Sequence, residues 1–157
     1  MLALSLIGCT KLPDVEPSSK ISYLKDGTRF KTFYTKNSLF IEPSKTGKIY
    51  ISLDSYSDKG NFGFIVVGNS IVGDYTFDNS IPDDYTNRIN FHPPNGDPFG
   101  FGSNSCNAPA FLVSIDNYYP LQETISGTFE GIVCDDNGNT IEIREGVFEF
   151  VKKFEGF

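Results

Sequence analysis

The sequence predicts an all-β protein, a two-sheet antiparallel β-sandwich, from three observations. No stretch repeats apolar residues at i, i+3, i+4 and i+7 over three turns, as an amphipathic helix would. Several segments instead alternate apolar and polar residues with the period of two that half-buries a strand. Fifteen Phe and eight Tyr against one Met and no Trp, with 15 Gly and 9 Pro, make a composition of strands and turns. A chain of 157 residues, 39% apolar and 21% charged, forms one domain whose core needs neither a metal nor a disulfide framework. Turn signals divide it into about nine or ten short strands, and a flattened calycin-like barrel is the alternative way of closing them.

The β-domain spans residues 20–157. Between Ser19 and Tyr34 two strands flank Asp26-Gly27, a pair suited to the positive φ angles of a type I′ hairpin. Ser38 to Glu42 gives a third strand. From Lys48 to Asp54, Ile49, Ile51 and Leu53 alternate with Tyr50, Ser52 and Asp54, so one face of that strand is core. Phe62 to Val67 is more continuously apolar, as a central strand would be, and Gly73 to Phe77 follows it. Ser80 to Asn87 is rich in turn residues, and Arg88 to Phe91 forms a short strand. His92 to Pro109 is a Gly- and Pro-rich loop of a length that tends to be functional. After it, Phe111, Val113 and Ile115 alternate with Leu112, Ser114 and Asp116 in a strand closed by Tyr118-Tyr119-Pro120.

The last third predicts a long hairpin, ISGTFEGIVC and NTIEIREGVFEFV around Asp135-Asp136-Asn137-Gly138, with Asn-Gly supplying the positive φ angles of the turn. Ile141 and Ile143 are odd-numbered while Phe148 and Phe150 are even. Both pairs reach one core only if an extra residue intervenes, which predicts a β-bulge at Glu145-Gly146.

Residues 1–8 are mostly apolar and too short to span a bilayer, which marks them as the remnant of an export signal. Leu6-Ile7-Gly8-Cys9 resembles the lipobox of bacterial lipoprotein signal peptides, although no Lys or Arg precedes the apolar run, as a start site read too far downstream would explain. The resemblance implies cleavage before Cys9 and lipidation of its thiol, with residues 9–19, polar and Pro-containing, as the tether. Assigning Cys9 to lipid leaves Cys106 and Cys134 as an even pair in an oxidising compartment, either bridged or present as two buried thiols.

Three blocks, KISYLKDGTRFKT, Gly73-Asp74-Tyr75-Thr76-Phe77 and ISGTFEGIVCDDNGNTIEIREGVFEF, together resemble a family of small secreted lipoproteins common in Bacteroidetes and described as a domain of unknown function. They cover Ser19 to Val151 in order. The resemblance implies a lipid-anchored β-domain at the bacterial outer membrane or cell surface, with no catalytic motif to transfer. The truncated signal and the Cys106 and Cys134 pair depart from that pattern.

Chemistry-bearing motifs are scarce. His92 is the one histidine, so any triad or multi-histidine metal centre would pass through it, and it stands in Phe91-His92-Pro93-Pro94 at a strand end. No G-x-S-x-G, H-E-x-x-H or Walker loop occurs, and Gly68-Asn69-Ser70-Ile71 lacks the second glycine of a nucleophile elbow. Asp135 to Asn139 is acidic enough for a calcium loop, but its twelfth position is Gly146 instead of the bidentate Glu, which favours a turn. Glu123, Glu130, Glu142 and Glu149 are the carboxylates a glycosidase pair would draw on, and they also read as solvated outward residues.

No catalytic residue, metal ligand or cofactor is therefore expected. A net charge of −7 argues against nucleic acid as a partner. The first 50 residues carry eight Lys plus Arg and four acids, the remainder five and sixteen, a contrast read as mutual screening between strands. Phe99 and Phe101 in the long loop, and Tyr118 with Tyr119, are the candidate ligand contacts, able to stack on sugar rings or peptide or to cap the core. The expected function is that of a membrane-anchored, non-catalytic binding or accessory module for a glycan or peptide. A purely structural envelope protein and a carboxylate-based hydrolase are the alternatives.

Overall fold

Strand-forming segments separated by Gly- and Pro-rich turns fold into eleven antiparallel strands among the described residues. The computed structural model describes residues 20–33, 37–43, 47–56, 60–77, 87–92, 101–102, 111–135 and 137–152. The strands are β1 (Lys20–Lys25), β2 (Thr28–Phe33), β3 (Asn37–Pro43), β4 (Ile49–Ser55), β5 (Asn61–Gly68), β6 (Gly73–Thr76), β7 (Arg88–His92), β8 (Phe101–Gly102), β9 (Phe111–Tyr119), β10 (Thr124–Cys134) and β11 (Thr140–Lys152).

They form two layers, one in the order β2-β1-β11-β10-β9-β6 and the other β3-β4-β5-β7. The layers do not close into a barrel, so the sandwich is the architecture. β8 joins them at one end, pairing β7 through Phe91↔Phe101 and β10 through Cys134↔Gly102. Asn87 ties them elsewhere: its Oδ1 accepts from the Val67 amide at 2.8 Å and its Nδ2 donates to the Thr76 carbonyl at 3.0 Å.

The alternating residues meet between the layers. Ile21, Val113, Ile115, Ile125 and Ile143 of the six-stranded layer and Leu39, Ile51, Leu53, Phe64 and Ile89 of the four-stranded layer are at most 1% exposed. Aromatic rings bridge the gap: Tyr23 lies 5.5 Å from Phe62, 6.4 Å from Phe91 and 5.9 Å from Phe129, centroid to centroid. Such pairs add roughly 0.5–1.5 kcal/mol each beyond the area they bury. Burial pushes the Tyr23 phenol up, well above the usual tyrosine range. The Lys25 ammonium sits 4.6 Å above the Phe91 ring, where its aliphatic stem covers apolar surface and its charge meets the ring face.

Local chemistry explains the first hairpin. Asp26 at φ 47° and Gly27 at φ 78° make the type I′ turn, and β1 and β2 pair from Lys25↔Thr28 to Lys20↔Phe33. The expected bulge at Glu145-Gly146 is also present. Glu145 has φ 50°, and the β10–β11 register shifts between Phe129 and Gly131, so Ile143 and Phe148 both turn inward. Gly146 is required there, because a Cβ would stand 2.2 Å from the Phe129 carbonyl oxygen.

Two expectations are corrected. Phe150 does not enter the core: a second irregularity, with Phe150 at φ 50° and its amide donating to Ser126 Oγ at 2.9 Å, lets Val151 turn inward instead. The Phe150 ring lies 5.4 Å from that of Tyr119. In the last turn Gly138 takes a positive φ of 84°, and the backbone bond between Asp135 and Asn139 encloses three residues, so the loop is not a two-residue type I′ turn. Gly138 N donates to the Asp135 carbonyl at 3.1 Å and Asp135 N donates to that of Asn139 at 3.0 Å.

Candidate functional site

The aromatic candidates Tyr118 and Tyr119 stand on opposite faces of β9. Phe99 lies outside the described residues, and Phe101 is a backbone partner of Phe91 in β8. Tyr118 packs against the core while Tyr119 contacts Phe150, since neighbouring residues of a strand face opposite ways. His92, half-buried, ends β7 opposite Asn61.

Cys134 is disulfide-bonded and 8% exposed, which removes the free-thiol alternative for this residue. Cys9 and Cys106 lie outside the described residues. The strand register sets Gly102, four residues before Cys106, opposite Cys134.

Asp135 is used up by its own turn. Its carboxylate accepts from the Asn137 amide at 2.9 Å, the Asn139 amide at 2.7 Å and Asn139 Nδ2 at 2.6 Å. These bonds, that from the Asn139 side chain foremost, hold the carboxyl below the usual carboxylate range. No cluster of three or more His, Cys, Asp or Glu positioned for a metal occurs among the described residues. On the outer face of the four-stranded layer, Asp54 lies over Gly63, where a Cβ would come within 2.5 Å of Asp54 Oδ1. Burial raises the Asp54 carboxyl, partly offset by the Ser52 hydroxyl at 3.5 Å and by the positive charge of Arg88.

The outer face of the six-stranded layer carries a groove of about 540 Å³ between β6, β9, β10 and β11. Thr76, Leu112, Glu130, Ile132, Glu142 and Arg144 line it, and Phe77 and Phe111 stand at its inner end with rings 5.6 Å apart. A second hollow of about 270 Å³ adjoins it at Leu112 and Glu130 and adds Thr128, Glu145 and Val147. Register explains the grouping. Glu130 lies opposite Leu112 and Ile132 opposite Glu142, and outward residues at paired positions stand side by side. Gly131 and Gly146, which line one hollow each, contribute no side chain to fill the space.

The groove's charges are unevenly satisfied. Arg144 Nη2 is 2.7 Å from Glu142 Oε1, and Arg29 of β2 pairs with Glu145. Glu130, at the junction of the two hollows and exposed, has no cationic partner among the described residues. Exposed Ile132 beside it, 37% accessible, gives the groove an apolar contact.

Of this constellation, the sequence pointed only to Glu130 and Glu142, as outward carboxylates. Glu123 belongs to the β9–β10 turn and Glu149 pairs with Lys20 at 3.0 Å. Leu112, Ile132 and Arg144 went unnoticed. Ile132 was findable as an apolar residue in the otherwise polar outward row Ser126, Thr128, Glu130.

Comparison with protein-family models, with characterised proteins and with solved structures finds no match.

Proposed function

We propose that the protein is a non-catalytic binding module of the bacterial cell envelope, anchored by lipid on Cys9 and akin to the small Bacteroidetes lipoproteins its sequence resembles. The observation that carries the binding reading is the groove on the six-stranded layer, which combines apolar Leu112 and Ile132 with a carboxylate, Glu130, that meets no cation among the described residues. A rigid sheet that presents such a surface suits recognition. The lipobox-like Leu6-Ile7-Gly8-Cys9 and the polar stretch that follows support the anchor.

Binding is preferred to hydrolysis although Glu130 and Glu142 share the groove. Both are exposed, and neither sits in the apolar enclosure that glycosidases build around a general acid. Two measurements test the proposal. Labelled palmitate should enter the precursor in bacteria and be lost in Cys9→Ser. A glycan and peptide array probed with the purified chain should give saturable hits weakened by Ile132→Ser, whereas no hit at all would favour a purely structural envelope role.

A further inference from the structure

We propose that the groove recognises an extended polypeptide segment in which a basic side chain lies two residues from an apolar one, Glu130 meeting the cation and Leu112 with Ile132 seating the apolar group. This rests on reading the groove as a binding surface and names the ligand chemistry it would take.

Charge complementarity selects the cation. Three carboxylates, Glu130, Glu142 and Glu145, line the two adjoining hollows. Arg144 and Arg29 each answer one of them, which leaves Glu130 as the charge without a counterpart among the described residues. The overall charge of −7 reinforces this at long range, drawing basic partners in and repelling polyanions.

The apolar seat narrows the class further. A bare inorganic cation would gain nothing from Leu112 and Ile132, and a neutral sugar would leave Glu130 unanswered. A peptide supplies both groups on one backbone. In an extended chain side chains two residues apart share one face, and Glu130 and Ile132, two residues apart in β10, line the same groove. The hollows continue one another through Leu112 and Glu130, giving a track with room for several such residues.

The test is fluorescence anisotropy with the full chain and three fluorescein-labelled heptapeptides, Ser-Xaa-Ser-Val-Ser-Xaa-Ser with Xaa as Lys, Glu or Ser (the Lys/Val, Glu/Val and Ser/Val peptides), so that Xaa and Val share one face, with a labelled chito-oligosaccharide alongside. The Lys/Val peptide should bind saturably and weaken as salt rises. Glu130→Gln should weaken it about fivefold, the effect of one lost ion pair, and Ile132→Ser should weaken it as well. Glu149→Gln, away from the groove, should bind as the parent does, and circular dichroism should show all variants folded. Equal binding of the Lys/Val and Glu/Val peptides, or an unchanged affinity in Glu130→Gln, overturns the proposal. If only the Ser/Val peptide or the oligosaccharide binds, and Ile132→Ser abolishes that binding, the cation preference is wrong while the groove remains a binding surface. Absence of binding by all four probes overturns both.

Discussion

Phe62 and Phe129 stack across the two layers with centroids 4.3 Å apart and planes 19° from parallel. Phe129 also faces Tyr23, Phe111 and Phe148, so it is the ring through which most of the aromatic core is connected. Phe129→Ala should therefore leave a cavity and cost about 3–5 kcal/mol of stability. Urea denaturation should show a lower midpoint with an unchanged slope. A loss below about 1 kcal/mol would mean that the layers are not held through this pair.

Two glycines of the last hairpin should behave differently on substitution. In Gly146→Ala the new methyl meets backbone, the Phe129 carbonyl at 2.2 Å, and ring carbon at 2.5 Å, neither of which can swing aside. In Gly138→Ala it meets nothing within 4 Å, and the cost is that of φ +84° for an L residue, about 1–2 kcal/mol. Thermal melts should place Gly146→Ala well below Gly138→Ala, and the reverse order would contradict the bulge.

The two perturbed aspartates should respond to acid in opposite senses. The Asp135 carboxyl is lowered in the folded state, so its contribution is complete above the ordinary carboxylate range and lost as pH falls through the lowered value. Asp135→Asn should be less stable than the parent at pH 7, by a margin that shrinks on strong acidification. The Asp54 carboxyl is raised, so its ionised form opposes folding at neutral pH and its protonation relieves the cost. Asp54→Asn should be the more stable protein at pH 7 and lose that advantage toward about pH 3. Denaturation midpoints across pH 7 to 2.5 check both, and parallel curves would refute the assignment.

Disulfide mapping bears directly on the anchor. Cys134 is bridged, and the chain has three cysteines. A Cys106–Cys134 linkage leaves the Cys9 thiol available for lipid, and its loss in Cys134→Ser should cost roughly 3.5 kcal/mol. A Cys9–Cys134 linkage in the mature protein would exclude lipidation of Cys9. Peptide mass spectrometry without reduction separates the two.

What the sequence disclosed of this fold was what neighbouring residues decide. Asp26-Gly27 dictates its own turn, and the parity change between Ile143 and Phe148 demands a bulge whatever the rest of the chain does. Phe150 escaped because the bond that turns it comes from Ser126, 24 residues away, and no glycine adjoins it in β11. The groove escaped for the same reason on a larger scale. Leu112, Glu130 and Glu142 are adjacent only because β9, β10 and β11 lie side by side in a given register, which spacing along the chain does not encode. Tyr118 and Tyr119, adjacent in sequence, are separated across the sheet, Tyr118 toward the core and Tyr119 toward Phe150.

The pairing of β1 with β11 also constrains when the domain can form. Lys20 meets Glu149 at 3.0 Å across 129 positions of sequence, and β1 lies between β2 and β11. A ribosome releases the β1–β2 hairpin long before the thirteen residues of β11 exist, and until then β1 is paired on one side only, with β2. Closure of the six-stranded layer waits for β11, so the nascent domain stays open until that strand has been made. Loss of β11 would strand the opening hairpin and β10 together, whereas loss of β3 would remove only an outer strand.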